Sequence, residues 1–184
     1  MRFTRAKPEG LVIIDVERCK DTRGHFARTF CADEFIRNGL PAVFAQCSIS
    51  FNHRRGTLRG LHFQAAPVGQ NKLIRVARGR ILDVAVDIRR SSPTFGLHVA
   101  VELSAENWRQ LLIPVGFAHG FVTLEPDTEV LYKTTATYSA AHDRGLAWDD
   151  PEVGIKWPLP WGGPVLSDKD GRWPRLKEAQ ELFA

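Results

Sequence analysis

Apolar and polar positions alternate with period two along much of this chain, most clearly from residue 72 onward. Lys72-Leu73-Ile74-Arg75-Val76-Ala77-Arg78 interleaves charges with aliphatic side chains, as a half-buried strand does. Gly79-Arg80 then breaks the run, and Ile81 to Ile88 forms a second strand. Side chains two apart point the same way, so Asp83, Ala85 and Asp87 share one face of it. Arg89 to Thr94 reads as a turn. Leu97 to Leu103, Arg109 to Ile113, Gly120 to Leu124 and Glu129 to Thr135 continue the series. Short strands at this spacing, joined by Gly, Pro and Asn turns, predict an all-β antiparallel sandwich or barrel. Two helices are expected. One spans Cys31 to Gly39, with Asp33 and Glu34 in its first turn, and the other spans Pro174 to Phe183, opened by its proline.

A chain of 184 residues suits one domain over 1–184. The stretch from Trp148 to Trp173 is rich in Pro, Gly and Trp, which suggests an ordered, irregular wrap over the barrel from about 148 to 184. Hydrophobic residues make up 43% and charged residues 25%, enough apolar material for one core and too much for a disordered chain. The net charge of +4 suits an anionic small molecule. It gives no ground for nucleic acid, because the cations form no long run and no helical face. Cys19, Cys31 and Cys47 have neither even number nor pair spacing, which argues against a disulfide framework or a zinc ribbon. With no apolar leader after Met1 and no run long enough to span a membrane, a cytoplasmic location is expected.

Two histidines stand out by their surroundings. His119 lies in Pro114-Val115-Gly116-Phe117-Ala118-His119-Gly120-Phe121, where Pro and Gly set a tight turn before a strand. His62 lies in Leu58-Arg59-Gly60-Leu61-His62-Phe63-Gln64, where a glycine lets the backbone bend so that Arg59 and His62 can reach one cavity. An isolated histidine on a strand is most often a hydrogen-bonded core or surface residue. Arg59, Lys72 and Asp83 nearby change that balance, because several ionisable groups inside a barrel are costly unless they pair or serve a ligand. The P-x-G-x-x-H segment resembles the second motif of the cupins. A metal-binding cupin would also need H-x-H and a carboxylate. Here Gln64 follows His62 at that spacing and the next candidate is the cation Lys72, so no metal is expected.

The strings Asp21-Thr22-Arg23-Gly24-His25-Phe26, Leu58 to Gln64, Asp83 to Asp87, Ile113 to Phe121, Leu131-Tyr132-Lys133 and Leu166-Ser167-Asp168-Lys169-Asp170 occur in the order of one family. Over about residues 10 to 176 the chain resembles the dTDP-4-dehydrorhamnose 3,5-epimerases, which make the L-rhamnose precursor in bacteria. The resemblance implies a cupin-type antiparallel jelly-roll barrel with a few short peripheral helices. It implies a nucleotide-diphosphate 4-keto sugar as substrate, no cofactor, and a homodimer with N-terminal strand exchange. Matched residue by residue, His62 is the base, Asp170 its carboxylate partner, Lys72 the enolate stabiliser and Tyr132 the acid, with Tyr138 as rival. Arg59 is implied to grip the diphosphate. Arg23, Phe26 and Gln46 are implied to hold the nucleotide, Arg23 and Phe26 from the partner subunit. Asp83 and His119 would support Lys72 and the pocket floor, and Lys169 belongs to the substrate-binding set. The chain departs from the pattern at Arg28, where many members carry Glu, and at Ser48, where many carry Asn. Three other functions share the scaffold: epimerisation at C3 or C5 alone, non-catalytic sugar binding, and ketoisomerisation.

Overall fold

The computed structural model describes residues 1–184. Its strands are β1 (Arg2–Arg5), β2 (Val12–Asp15), β3 (Arg18–Asp21), β4 (Gly24–Ala27), β5 (Gln46–Asn52) and β6 (Leu58–Gln64). There follow β7 (Lys72–Arg78), β8 (Arg80–Asp87), β9 (His98–Ser104), β10 (Arg109–Ile113), β11 (Phe117–Thr123), β12 (Thr128–Thr134) and β13 (Asp143–Gly145). One sheet runs β1-β2-β10-β7-β12-β5, the other β13-β6-β11-β8-β9, and β3 pairs only with β4. Every ladder among these strands is antiparallel. This is the expected all-β jelly-roll barrel. The predicted strands from residue 72 to 135 all form, with ends moved by up to three residues.

Three apolar layers explain why these segments are strands. Ile74, Val76, Ile81, Ala85, Leu111, Phe117, Phe121 and Val130 fill the space between the sheets. Intervening positions turn outward. Leu61, Phe63, Val84, Val86 and Ala118 form a second layer with Leu146, Val153, Leu176 and Ala179 of the C-terminal wrap. Val12, Ile14, Leu73 and Leu112 form a third, closed by Phe35 and Leu40. Strands covered on both faces read as nearly continuous apolar runs. That is why β8, with Ile81, Val84, Ala85 and Val86 wholly buried, looks so hydrophobic in sequence. Burying a side chain of Leu or Phe size stabilises by roughly 1.5–3 kcal/mol, so the two outer layers matter as much as the inner one.

The helix α1 (Ala32–Arg37) lies inside its predicted span, carries Asp33 and Glu34 in its first turn, and buries Phe35. The second expected helix is absent. Between Pro174 and Phe183 only a turn at 176–178 forms. Leu176 and Ala179 are drawn into the outer layer, the Leu176 N–H donates to Asp150 Oδ2 at 2.7 Å, and the Phe183 carbonyl accepts from the Arg90 N–H at 2.8 Å. Contacts with the sheet outweigh the helical propensity of Leu-Lys-Glu-Ala-Gln-Glu-Leu. Within the wrap, Trp157 Nε1 donates to the Trp148 carbonyl at 2.8 Å. No helix is long and apolar enough to cross a membrane.

Candidate active site

At one end of the space between the sheets, apolar lining gives way to polar side chains around a cavity of about 530 Å³. Regular alternation cannot aim both Arg59 and His62 into it, since residues three apart on a strand face opposite ways. A bulge resolves this. His119 pairs with His62 and Phe121 with Arg59, so two residues of β6 oppose Gly120 alone. Gly60 has φ +136°, and a Cβ there would lie 2.5 Å from the Gly120 Cα. No other residue type fits so close an approach.

His62 Nε2 donates to Asp170 Oδ1 at 2.5 Å. A carboxylate can only accept, so this bond fixes the Nε2–H tautomer and leaves the Nδ1 lone pair as the basic nitrogen. Asp170 is buried, and its backbone N–H donates to Ser167 Oγ at 3.2 Å. Burial alone would raise its pKa, but the hydrogen bond and charge of His62 more than reverse this, so the carboxyl stays ionised. Behind the pair lies Trp173, edge-on to the His62 ring with centroids 6.1 Å apart. Gly145 pairs with His62 in the β13–β6 ladder, and a Cβ on it would lie 2.4 Å from the Trp173 indole.

The neighbouring inward position of β11 holds a second such pair. His119 Nε2 donates to Asp83 Oδ1 at 2.7 Å, and Asp83 is fully buried with Oδ2 unpartnered. Burial lowers the His119 pKa, with Lys72 and His62 adding to the effect and Asp83 opposing it. Lys72, from β7 of the other sheet, donates to the His62 carbonyl at 3.1 Å. Burial pushes its ammonium down to about 8, against the pull of Asp143 and Asp83. Tyr132 of β12 lines the cavity from that same sheet, whereas His62 of β6 comes from the other.

The mouth is closed by residues remote in sequence. Tyr138 Oη donates to Asp143 Oδ2 at 2.9 Å, Lys169 Nζ is paired with the same oxygen, and Gln64 Nε2 donates to Asp143 Oδ1 at 3.5 Å. Gln46 lies at the rim, where its Oε1 accepts from the Tyr138 N–H at 2.7 Å. Arg59, His62, Lys72, His119, Tyr132, Tyr138, Lys169 and Asp170 thus line one cavity, with Asp83 just beneath. Arg23 and Phe26 do not reach it. They sit on the β3–β4 hairpin, with Phe26 67% exposed and Arg23 paired with Asp21 at 2.7 Å. Arg28 contacts Glu34 at 3.7 Å, and Ser48 lies opposite Tyr132 in the β5–β12 ladder. Sequence reasoning missed Asp143 and Trp173, and treated Gln64 only as a gap in a metal motif. Asp143 belongs to a three-residue strand with no periodicity of its own, so no local pattern points to it. No three His, Cys, Asp or Glu side chains are arranged to hold a metal ion.

A sequence model described as dTDP-4-dehydrorhamnose 3,5-epimerase matches residues 5–178. The chain belongs to the dTDP-4-dehydrorhamnose 3,5-epimerase family. It is therefore an isomerase. A dTDP-4-dehydrorhamnose 3,5-epimerase of Sinorhizobium fredii is 51% identical over 163 residues, covering 89% of this chain and 83% of the relative. The epimerase of Bacillus anthracis, solved with TDP and PPi bound, has a TM-score of 0.91 at 42% identity and covers 95% of this chain and 98% of that one. The Legionella pneumophila enzyme, in complex with dTDP-4-keto-L-rhamnose, gives 0.92 at 38% identity, with 97% and 94% covered. Both family strings flanking the cavity, around His62 and His119, fall within the matched region.

Proposed function

We propose that this epimerase inverts C3 and C5 of dTDP-4-dehydro-6-deoxy-D-glucose, giving dTDP-4-dehydro-L-rhamnose. The observation that carries the proposal is the His62–Asp170 pair sharing one cavity with Tyr132 from the opposite sheet, with Lys72 on the His62 carbonyl. The C4 ketone acidifies the neighbouring C–H bonds. His62 Nδ1 takes the proton from C3 or C5, the C–H electron pair moves into the ring, and the carbonyl oxygen becomes an enolate oxygen. Asp170 holds the tautomer and stabilises the imidazolium that forms. Lys72 faces the developing negative charge in a site that excludes much of the water, where a fixed cation is worth most. Tyr132 then donates a proton to the opposite face, and the configuration inverts. No step requires a metal or a redox cofactor.

Arg59 is suited to bidentate contact with the diphosphate, and Tyr138, Lys169 and Gln46 border the route to it. Arg23 and Phe26 would act on the pocket of a second copy, which makes the working unit a homodimer with exchanged N-terminal segments. Their position outside their own pocket, exposed on a separate hairpin, supports that arrangement. A soluble cytoplasmic enzyme with the whole chain acting as one domain completes the proposal.

Incubation with dTDP-4-keto-6-deoxy-glucose in D₂O, followed by NMR, tests it. Deuterium is expected at both C3 and C5. Label at one carbon alone would mean a mono-epimerase, and no label at either would sink the assignment of substrate.

A further inference from the structure

Asn52 ends β5 and is 2% exposed. Its Nδ2 donates to the Thr128 carbonyl at 3.1 Å and to the Ser50 carbonyl at 3.2 Å. With its protons committed to two carbonyls, the amide cannot turn over without setting Oδ1 against two acceptors. Oδ1 is thereby turned the other way, where it accepts from Arg59 Nε at 2.8 Å and, at the longer distance of 3.5 Å, from Ser50 Oγ. Arg59 Nη2 also reaches the Phe51 carbonyl, at 3.4 Å. The guanidinium is thus held from behind by two neutral acceptors on β5, and its other donors remain for the cavity that Arg59 lines.

The neutrality of the holder matters. A carboxylate at residue 52 would also accept from Nε, but it would cancel the charge of Arg59 and face the Ser50 and Thr128 carbonyls with a second oxygen. An amide alone donates on one side, accepts on the other and leaves the cation whole. Lys169, by contrast, has its charge paired with Asp143.

We propose that Asn52 is a positioning residue for Arg59, aiming the guanidinium at the substrate diphosphate and leaving its full charge to that anion. This rests on the diphosphate role of Arg59 given above. Asn52 touches no reacting atom.

Calorimetric titration with dTDP and with thymidine, alongside steady-state kinetics, tests it. Asn52→Ala is expected to weaken dTDP binding on the order of ten-fold, the scale of one hydrogen bond to a charged group. Thymidine binding should not change, and KM should rise more than kcat falls. In an Arg59→Lys background, which has no Nε to hold, Asn52→Ala should cost no further affinity. Equal losses for dTDP and thymidine, or the same loss in both backgrounds, would overturn the inference. Should Asn52→Ala fail to fold, Arg59→Lys decides alone. A charge without its aimed fork should lose nearly as much dTDP affinity as Arg59→Ala, and retained affinity overturns the inference. If Arg59→Ala binds dTDP as tightly as the unaltered protein, the diphosphate role itself fails. Loss at Arg59 with indifference at Asn52 removes the positioning role alone.

Discussion

At the floor of the cavity, His62, His119 and Lys72 sit on inward positions of three strands, and each is held by a partner from its own chain. Asp170 and Asp83 fix the two imidazoles, and the His62 carbonyl holds Lys72. Arg23, Phe26 and Arg28 present the opposite case. Their hairpin and the segment after it meet the barrel from outside, where the guanidinium groups of Arg18 and Arg75 lie over the Trp108 ring at 5.8 and 5.6 Å. Gln110 Nε2 donates to the Thr29 carbonyl at 2.8 Å just beyond. Nothing in this chain engages the exposed faces of Arg23 and Phe26 except the neighbouring Asp21. Proton transfer needs groups fixed to fractions of an ångström in a shielded site, which two-sided burial supplies. Holding a nucleotide tolerates a surface element, provided a second surface meets it.

The largest effect should come from the floor. His62→Ala is expected to lower kcat by roughly 10²–10⁴-fold, the range for a lost general base. Tyr132→Phe should slow product formation by a similar order while still permitting deuterium exchange, because proton removal stays on the His62 side. NMR in D₂O separates the two, and loss of exchange in Tyr132→Phe would break the division of labour between the faces.

The hairpin should respond differently. Arg23→Ala is expected to raise KM about ten-fold, as one lost charged hydrogen bond would, with a much smaller fall in kcat. Mixing Arg23→Ala with His62→Ala chains should recover a fraction of sites with the unaltered KM, since a mixed dimer rebuilds one pocket from intact parts. Absence of any recovery under conditions that exchange subunits would count against a site shared between chains.

Lys72 gives the floor a pH signature. Its ammonium loses a proton near pH 8, so kcat should fall as pH rises through about 8. Lys72→Arg should remove that alkaline limb, even at reduced activity. The same shift has a consequence for stability. Between about 8 and the ordinary 10.5 the unfolded chain binds the proton that the folded chain has released. Stability therefore rises with pH across that window, and Lys72→Met should flatten the rise in denaturant titrations. The smallest expected effect is none: EDTA should leave activity unchanged, and a loss restored by a divalent ion would overturn the metal-free scheme.

The alternation from Lys72 to Thr135 determined strands β7 to β12, three in each sheet, because residues facing a core on one or both sides must repeat every second position. The spacing of Pro114, Gly116 and His119, and of Arg59, Gly60 and His62, was legible for the same local reason. A tight turn and a bulge each need glycine where the backbone approaches another strand. The helical reading of 174–183 failed although its residues are good helix formers, because Leu176, Ala179 and Phe183 have a sheet to cover. Asp170 was identifiable only by resemblance, since 108 positions separate it from His62. Asp143, Trp173 and Asn52 carried no local signal at all. Each acts through a partner brought close by the crossing of strands or by the C-terminal wrap, and no period in a sequence encodes which distant residue will stand beside another. The chain, through its period and its family resemblance together, thus named a barrel and the base and cation expected inside it. Only the tertiary structure chose the nitrogen of His62 that stays free, the carboxylate at the mouth and the amide behind Arg59.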